Sequence, residues 1–393
     1  MRTPLAWKNL THDRRRLLLA LGGIGFAVLL MCMQLSFQRA LLDSTVALIR
    51  AMNAELIITS GAKYTIVVRE TFKRQRLYQA RACDGVASAA PLYIETQLSL
   101  VTNRRENSRG DGGEGSPIRV LAFDPGDRVL NLAEVERHRD ELRLPHKALY
   151  DERSKQENYG VDLPPEGETL QVADGYVELV GGFTLGTDFA NDGNLIVGNI
   201  TYLDLFPQRA SGEDGLDDVD VGLVKVVGAD VSDVQRRLKN ALPDDVMVQT
   251  RREFEDQERR FWARSTPIGY IFELGTVMGF VVGMVICYQI LYSDIADHLP
   301  EFATLKAMGY PNRYFVSVVL QEALLLSLLG FLPGFVVGEL VCLWVAHATG
   351  LQVTVLEWEI GIPVLGLSVL MCIASGLLTM RKVMSADPAE LFR

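Results

Sequence analysis

The stretch LLLALGGIGFAVLLMCMQLSF, residues 17–37, decides the fold class, because no charged residue interrupts it between Arg16 and Arg39. A helix that crosses the hydrocarbon core of a bilayer needs about 20 mostly apolar residues. Three stretches nearer the C-terminus also meet this criterion, at residues 267–292, 316–346 and 360–380. The sequence therefore predicts four membrane-spanning helices.

The composition agrees with a membrane protein. The chain has 393 residues, of which 48% are hydrophobic and 22% charged, and its mean hydropathy is +0.14. These values are too apolar for a typical soluble enzyme of this length. The polar residues concentrate between residues 38 and 264, which predicts a large domain outside the membrane. A formal net charge of −10 disfavours a general nucleic-acid binder.

The distribution of Lys and Arg predicts the orientation, because short cytoplasmic flanks carry the excess of positive charge. Basic residues precede the first span, follow the last and occur in the loop 293–313, whereas residues 350–359 contain none. Both termini and the 293–313 loop are therefore predicted to be cytoplasmic. A cleaved signal peptide is a weaker alternative, because the first apolar core exceeds the usual length of about 7–15 residues.

The predicted boundaries follow from these spans. We expect a cytoplasmic amphipathic helix at 1–16, spans at 17–38, 266–292, 314–347 and 359–380, an outer domain with stalk helices at 39–265, a cytoplasmic loop at 293–313, an outer loop at 348–358 and a cytoplasmic tail at 381–393. The charged stretch 251–264 is predicted to continue directly into the second span as a stalk, and 39–52 is predicted to be the matching stalk after the first span.

The outer domain is predicted to be mixed α/β. Short runs rich in Val and Ile predict strands, at 55–60, 92–101, 118–123, 169–172, 176–185, 194–197 and 221–227. Helical periodicity predicts helices at 69–82, 132–143, 201–206 and 231–242, the last of which ends before Pro243. The Gly- and charge-rich stretch 103–117 is predicted to be a loop.

The motifs of common enzymes do not occur in the sequence. GxxxxGK[ST], HExxH and GxSxG are all missing, and no His or Cys residues are spaced as metal ligands. Cys83 is the only cysteine outside the predicted spans, so no disulfide is expected in the outer domain. The expectation is a chain that is not an enzyme, binds no metal and binds no ATP through a P-loop of its own.

Glycines repeat every fourth residue in two of the predicted spans. Such a face lets another helix backbone approach closely, although glycine is also simply common in membrane helices. We favour tight helix packing, within or between subunits, at Gly275, Gly279, Gly283, Gly330, Gly334 and Gly338.

Three carboxylates lie inside predicted spans, where a charge is costly and usually functional. They are Glu273, Glu322 and Glu339. Glu339 is the strongest candidate for an intramembrane polar site. A structural contact and a role in transport are both open readings for it.

The loop 294–312, DIADHLPEFATLKAMGYPN, predicts a short cytoplasmic helix. Pro300 and Glu301 suit a helix start, and Phe302, Leu305 and Met308 would form one apolar face that ends at Gly309. A helix of this kind suits docking into a soluble partner. The N-terminal segment, with Trp7 among basic residues, is predicted to be amphipathic and to lie on the membrane surface.

At these residues the chain resembles the FtsX/MacB-type (type VII) ABC transporter permeases. The motifs are LAWKNL at 5–10, EFATLKAMG at 301–309 and DPAEL at 387–391, and the order of spans matches over the whole chain. The DevC group of these permeases is more similar still, through DHLPEFATLKAMGY at 297–310, MQLSFQRALLDS at 33–44 and FTLGTDFANDGNLIV at 183–197.

The resemblance implies a homodimeric permease of a bacterial inner membrane, with a MacB-like periplasmic domain between its first and second spans. Its implied partners are a separate ABC ATPase that binds ATP and Mg, a membrane-fusion adaptor and a TolC-like outer-membrane duct. It also implies a mechanotransmission mechanism that exports a lipid, glycolipid or other amphiphile. The ATPase-coupling residues would be Glu301, Phe302, Leu305, Lys306, Met308 and Gly309.

Two other functions remain open. An FtsX-like regulatory protein would relay ATPase motion to an extracytoplasmic cell-wall enzyme and transport nothing. A receptor with anchoring helices is disfavoured, because such a protein has no need for a coupling helix.

Overall fold

A computed structural model describes residues 14–102, 115–188, 190–212, 215–297, 304, 308–349 and 355–384. It divides into two compact units: a membrane unit, Met1–Ala40 with Pro267–Arg393, and an outer domain, Leu41–Thr266. Within the described residues the α-helices are α1 (Arg14–Ala51), α2 (Gln75–Arg81), α3 (Ala133–Arg137), α4 (Arg139–Leu142), α5 (Gln156–Tyr159), α6 (Asn199–Leu205), α7 (Val231–Ala241), α8 (Arg251–Arg264), α9 (Pro267–Asp297), α10 (Asn312–Thr349) and α11 (Trp358–Met384).

The strands all belong to the outer domain. In chain order they are β1 (Leu56–Ser60), β2 (Phe72–Lys73), β3 (Val86–Glu95), β4 (Leu100–Thr102), β5 (Ser116–Pro117), β6 (Arg119–Phe123), β7 (Lys147–Asp151), β8 (Thr169–Val172), β9 (Gly175–Phe183), β10 (Asn194–Gly198), β11 (Asp218–Val219), β12 (Val221–Val226) and β13 (Val246–Thr250).

Four of the helices are long and apolar enough to cross a membrane, over Leu17–Ala51, Gly269–Asp297, Arg313–Ala346 and Trp358–Arg381. The outer domain lies in the sequence between the first and second of them, and it is mixed α/β. The predicted fold class is therefore confirmed.

One sheet of 11 strands organises the described part of the outer domain, in the order β13-β1-β12-β3-β6-β10-β7-β9-β8-β4-β5. Most neighbours are antiparallel, but β10 pairs with β6, and β7 with β9, in parallel. Both faces are covered: Leu56 and Ile58 of β1 belong to one apolar cluster, and Ile57 belongs to the other. Burial on both faces explains why β1, β6 and β10 read as nearly continuous apolar runs.

Several predicted elements differ from the structure. The predicted helix 69–82 is shortened to α2, because Phe72 and Lys73 pair with β11 instead. The predicted helix 132–143 is split at His138, whose φ and ψ of −102° and 20° are not helical. Strand β3 lies earlier than the predicted 92–101, because Glu95 accepts hydrogen bonds from the next three backbone amides and turns the chain.

The two stalk segments differ from each other. Helix α1 is unbroken from Arg14 to Ala51. The predicted continuity of 251–264 with the second span is wrong, because α8 ends at Arg264 and α9 begins at Pro267. Proline has no N–H and disfavours helical geometry in the residue before it, so Pro267 starts a new helix.

Within the outer domain, the end of α1 packs on α8. Val46, Ile49 and Phe254 share one buried cluster. Asp43 lies 3.1 Å from Arg50 and also pairs with Arg259, and Arg50 reaches Glu255 at 3.4 Å. The two stalks are thus joined by apolar packing and by ion pairs.

The packing core and carboxylates of the membrane unit

The glycines of α9 face α1. A Cβ atom on Gly275 would lie 2.6 Å from the Gln34 amide nitrogen, and one on Gly283 would lie 2.7 Å from the Cβ of Ala27. At Gly279 there is slightly more room, because the first contact is the Met31 Cγ at 3.2 Å. At Gly275 and Gly283 a side chain on α9 would therefore require neighbouring side chains to move, whereas Gly279 has room for a methyl group.

The glycines of α10 also face α1. A Cβ on Gly330 would lie 2.6 Å from the Cγ2 of Ile24, and one on Gly334 would lie 2.9 Å from the Cβ of Val28 and closer still to the Gly25 carbonyl oxygen. Gly338 is looser, with Cys32 at 3.5 Å. All six predicted glycines therefore lie against or near the first helix of the same chain.

Glu339 binds the segment that leads into α11. Its Oε2 accepts hydrogen bonds from the backbone N–H of Val355 at 2.7 Å and of Leu356 at 3.1 Å. Both amides precede Trp358, the first residue of α11, and the carboxylate gives them the acceptor that a backbone N–H outside a helix needs. Glu339 therefore makes a structural contact in this unit.

The other two carboxylates differ in exposure. Glu322 is 2% exposed on α10, whereas Glu273 is exposed on α9. Burial of a carboxylate inside a membrane unit requires compensating contacts. The sequence could not distinguish these two environments.

A cluster of opposite charges joins the first and fourth helices of the membrane unit. Arg39 of α1 lies 2.9 Å from Glu357 and also pairs with Glu359, at the start of α11. These side chains are 32% to 47% exposed. Sequence analysis treated Arg39 as a flank of the first span and missed this pairing, because its partners follow more than 300 residues later.

Most of the predicted ATPase-coupling residues lie outside the described residues, namely Glu301, Phe302, Leu305 and Lys306. Residues 1–13 of the predicted amphipathic helix at 1–16 and the tail motif at 387–391 also lie outside them. Met308 is 63% exposed, and its N–H donates to the Thr304 carbonyl at 3.1 Å. Gly309 has a φ of +92°, a conformation that glycine adopts at helix ends without strain.

Two buried ionic groups stabilise the outer domain. Arg209 pairs with Asp220, lies 3.5 Å from Glu95 and donates to the Tyr202 hydroxyl at 2.7 Å. Burial alone would lower the pKa of Arg209, but Asp220 and Tyr202 raise it above its ordinary value. The charged form of this guanidinium is therefore favoured inside the domain.

The second group organises the segment 183–197. Arg119 pairs with Asp188 and donates to the Asn194 side chain at 2.8 Å, and Asn194 donates to Asp151 at 2.6 Å. Asp151 also accepts from the backbone N–H groups of Leu185 and Gly186. The polar residues of this segment thus fix a loop against the sheet.

A candidate metal centre is missing from the described ranges. No group of three or more His, Cys, Asp or Glu side chains there could hold a metal ion. The outer domain has an open cavity of about 410 Å³ whose lining carries charges of both signs, formed by Ala54, Glu55, Val231, Thr250, Arg251, Arg252 and Glu255. Glu55 is already paired with Lys225 at 3.0 Å, and Arg251 lies 3.8 Å from Glu255.

The membrane unit is similar to a known protein family. Residues 274–388 match the family described as FtsX-like permease C-terminal. The match lies within the membrane unit and covers less than a third of the chain. Together with the four helices that are long and apolar enough to cross a membrane, it is typical of a multi-pass membrane permease.

Solved structures are similar to the chain over about half its length. The periplasmic region of MacB from Actinobacillus actinomycetemcomitans has 13% identity and a TM-score of 0.34, and the match covers 53% of this chain and 94% of that one. The extracellular domain of the noncanonic ABC-type transporter YknZ from Gram-positive bacteria has 12% identity and a TM-score of 0.31, with 50% and 99% covered. No curated protein matches the chain.

Proposed function

We propose that this chain is the permease subunit of an ABC exporter and that it couples ATP hydrolysis on a separate ATPase to motion of its outer domain. The observation that carries the proposal is the family match over 274–388, which includes the predicted coupling segment 301–309. The missing P-loop motif supports a separate ATPase, because the chain then needs a partner to supply ATP hydrolysis.

The packing of α1 suggests how the motion would be carried. Glycines of α9 and α10 approach α1 closely, so a displacement of either helix within the membrane unit would displace α1. Because α1 is a single helix from Arg14 to Ala51, we propose that it transmits this displacement along its length. The segment that leads from α8 into the second span is interrupted between α8 and α9. We therefore propose that it transmits the displacement less well than α1 does.

The proposed assembly is a homodimer with two ATPase subunits in a bacterial inner membrane, with both termini cytoplasmic and the outer domain periplasmic. A membrane-fusion adaptor and a TolC-like outer-membrane duct would complete the path for a lipid, glycolipid or other amphiphile. These partners rest on the sequence resemblance to the DevC group.

The proposal is tested by co-purification from membranes with an affinity tag on this chain. We expect a P-loop ATPase and a membrane-fusion adaptor among the bound proteins. Recovery of the ATPase with a cell-wall hydrolase would instead support the regulatory function, and recovery without any ATPase would contradict both.

A double variant tests the coupling segment itself. Leu305→Asp with Met308→Asp should abolish binding of the ATPase while the chain still inserts into the membrane, because two charges would occupy the predicted apolar docking face. Unchanged ATPase recovery would refute the coupling assignment. Tyr310→Asp, just outside the predicted helix, is the matched control and should retain more of the ATPase.

A further inference from the structure

The outer domain carries a concentration of positive charge to which the proposed export function assigns no role. Residues 69–81, RETFKRQRLYQAR, contain five basic residues and one acid. The whole chain, by contrast, has a net charge of −10. This segment forms β2 and α2 at the surface of the domain.

Two of these basic side chains are neutralised by neighbours. Arg76 donates twice to Asp245, at 3.0 and 2.8 Å, and once to Gln79. Lys73 lies 2.8 Å from Asp218. Their charges are therefore accounted for by the fold.

Arg74 and Arg81 are arranged differently. Their guanidinium carbons lie 5.9 and 6.0 Å, respectively, from the centroid of the Tyr78 ring. Tyr78 follows Arg74 by four residues and precedes Arg81 by three. This spacing places all three side chains on one face of α2. The Tyr78 side chain is left 52% exposed between the two cations.

The described part of the chain gives neither guanidinium a carboxylate partner. The Nε of Arg81 donates to the Ala89 carbonyl at 2.7 Å, which fixes the side chain and leaves its two terminal nitrogens available. The pKa of Asp127 is raised above its ordinary value by burial and by Asp124, although Arg81 and Arg74 act to lower it, and Asp127 forms no ion pair with either arginine. Two oriented guanidinium forks on one surface are suited to phosphate oxygens, which they bind in a bidentate manner.

We propose that Arg74, Tyr78 and Arg81 bind the phosphate headgroup of an anionic lipid. Charge complementarity selects a phosphate, and the half-exposed Tyr78 ring selects an amphiphile, because a bare anion would leave the ring in water. Arginine and tyrosine at one surface combine cationic heads with apolar surface, as residues that meet lipid headgroups do. This inference names the class of ligand that the proposed exporter would carry. It therefore rests on the proposed export function.

The experiment titrates the detergent-purified full-length chain with water-soluble dihexanoyl phosphatidylglycerol and measures the binding affinity by calorimetry. The double variant Arg74→Gln with Arg81→Gln should bind at least about tenfold more weakly, because two charge-assisted contacts are removed. Arg76→Gln is the matched control on the same helix and should bind as the unaltered protein does. Equal affinity of the double variant and the unaltered protein would overturn the proposal.

Two further measurements identify the ligand. Inorganic phosphate alone should bind at least about tenfold more weakly than phosphatidylglycerol, and equal binding would overturn the lipid assignment. In the unaltered protein, phosphatidylglycerol should slow hydrogen exchange at backbone amides 75–82 and not at 156–159. Unchanged exchange in both segments would also refute the site. None of these measurements uses the ATPase, so failure here is distinguishable from failure of the export function.

Discussion

The two glycine faces that pack on α1 differ in what they touch. On α9, the atoms closest to a hypothetical Cβ belong to side chains, such as Gln34 at Gly275 and Met31 at Gly279. On α10, a Cβ at Gly334 would meet the backbone of Gly25 itself. Side chains can change rotamer, whereas backbone in a packed helix cannot yield without moving the helix. The other two glycines of α10 also meet side chains first, so the expected tolerance to substitution differs at Gly334 and not along the whole face.

The largest effect is expected for Gly334→Ala. The new methyl group would overlap the Gly25 carbonyl and the Val28 side chain, so α10 must move away from α1. Overpacking of this kind typically lowers the free energy of unfolding by about 1–3 kcal/mol, and we expect a loss at the upper end of this range or above it. Thermal unfolding in detergent, followed by size-exclusion chromatography, measures the loss. Gly366→Ala on α11, where nothing lies within 4 Å, is the control and should lose no stability.

A smaller effect is expected for Glu339→Gln. The variant keeps an acceptor oxygen but loses the charge that favours the amides of Val355 and Leu356. Hydrogen bonds to charged groups contribute about 1.5–3 kcal/mol, so part of that range should be lost in the same unfolding assay. Glu273→Gln, at an exposed position on α9, should leave stability unchanged. Equal losses for the two variants would show that Glu339 does not hold the segment that leads into α11.

The smallest effect is expected for Gly279→Ala. The nearest atom, the Met31 Cγ, would lie at 3.2 Å and belongs to a flexible side chain. The strain is offset by the higher helix propensity of alanine, about 1 kcal/mol in a helix interior. Unfolding should therefore shift by less than about 1 kcal/mol. A loss as large as that of Gly334→Ala would remove the distinction between the two positions.

The sequence predicted the features that depend on local pattern. The four spans follow from uninterrupted apolar length, and the buried strands β1, β6 and β10 follow from runs of apolar residues. Strand β7 was missed because KALYD begins with a charged residue that pairs with Glu178 of β9. Strand β13, which lies at the edge of the sheet, was also missed.

The polar contacts could not be read from the sequence. Arg119 is separated by 69 residues from Asp188 and by 75 from Asn194, and no periodicity links residues so far apart. Glu339 bonds backbone amides, which every residue except proline provides, so no side-chain pattern marks its partners. Contacts of this kind depend on tertiary structure rather than on local propensity.

The position of α1 between two glycine faces also has a consequence for biosynthesis. Helix α1 is synthesised first, but α9 and α10 follow only after more than two hundred further residues. At ordinary elongation rates of about 5–20 residues per second, α1 has no helical partner for about 10–40 s. Its span must therefore persist alone in the bilayer, which its mean hydropathy of 2.2 permits. The helix on which both glycine faces later pack is thus the one that must first be stable against lipid.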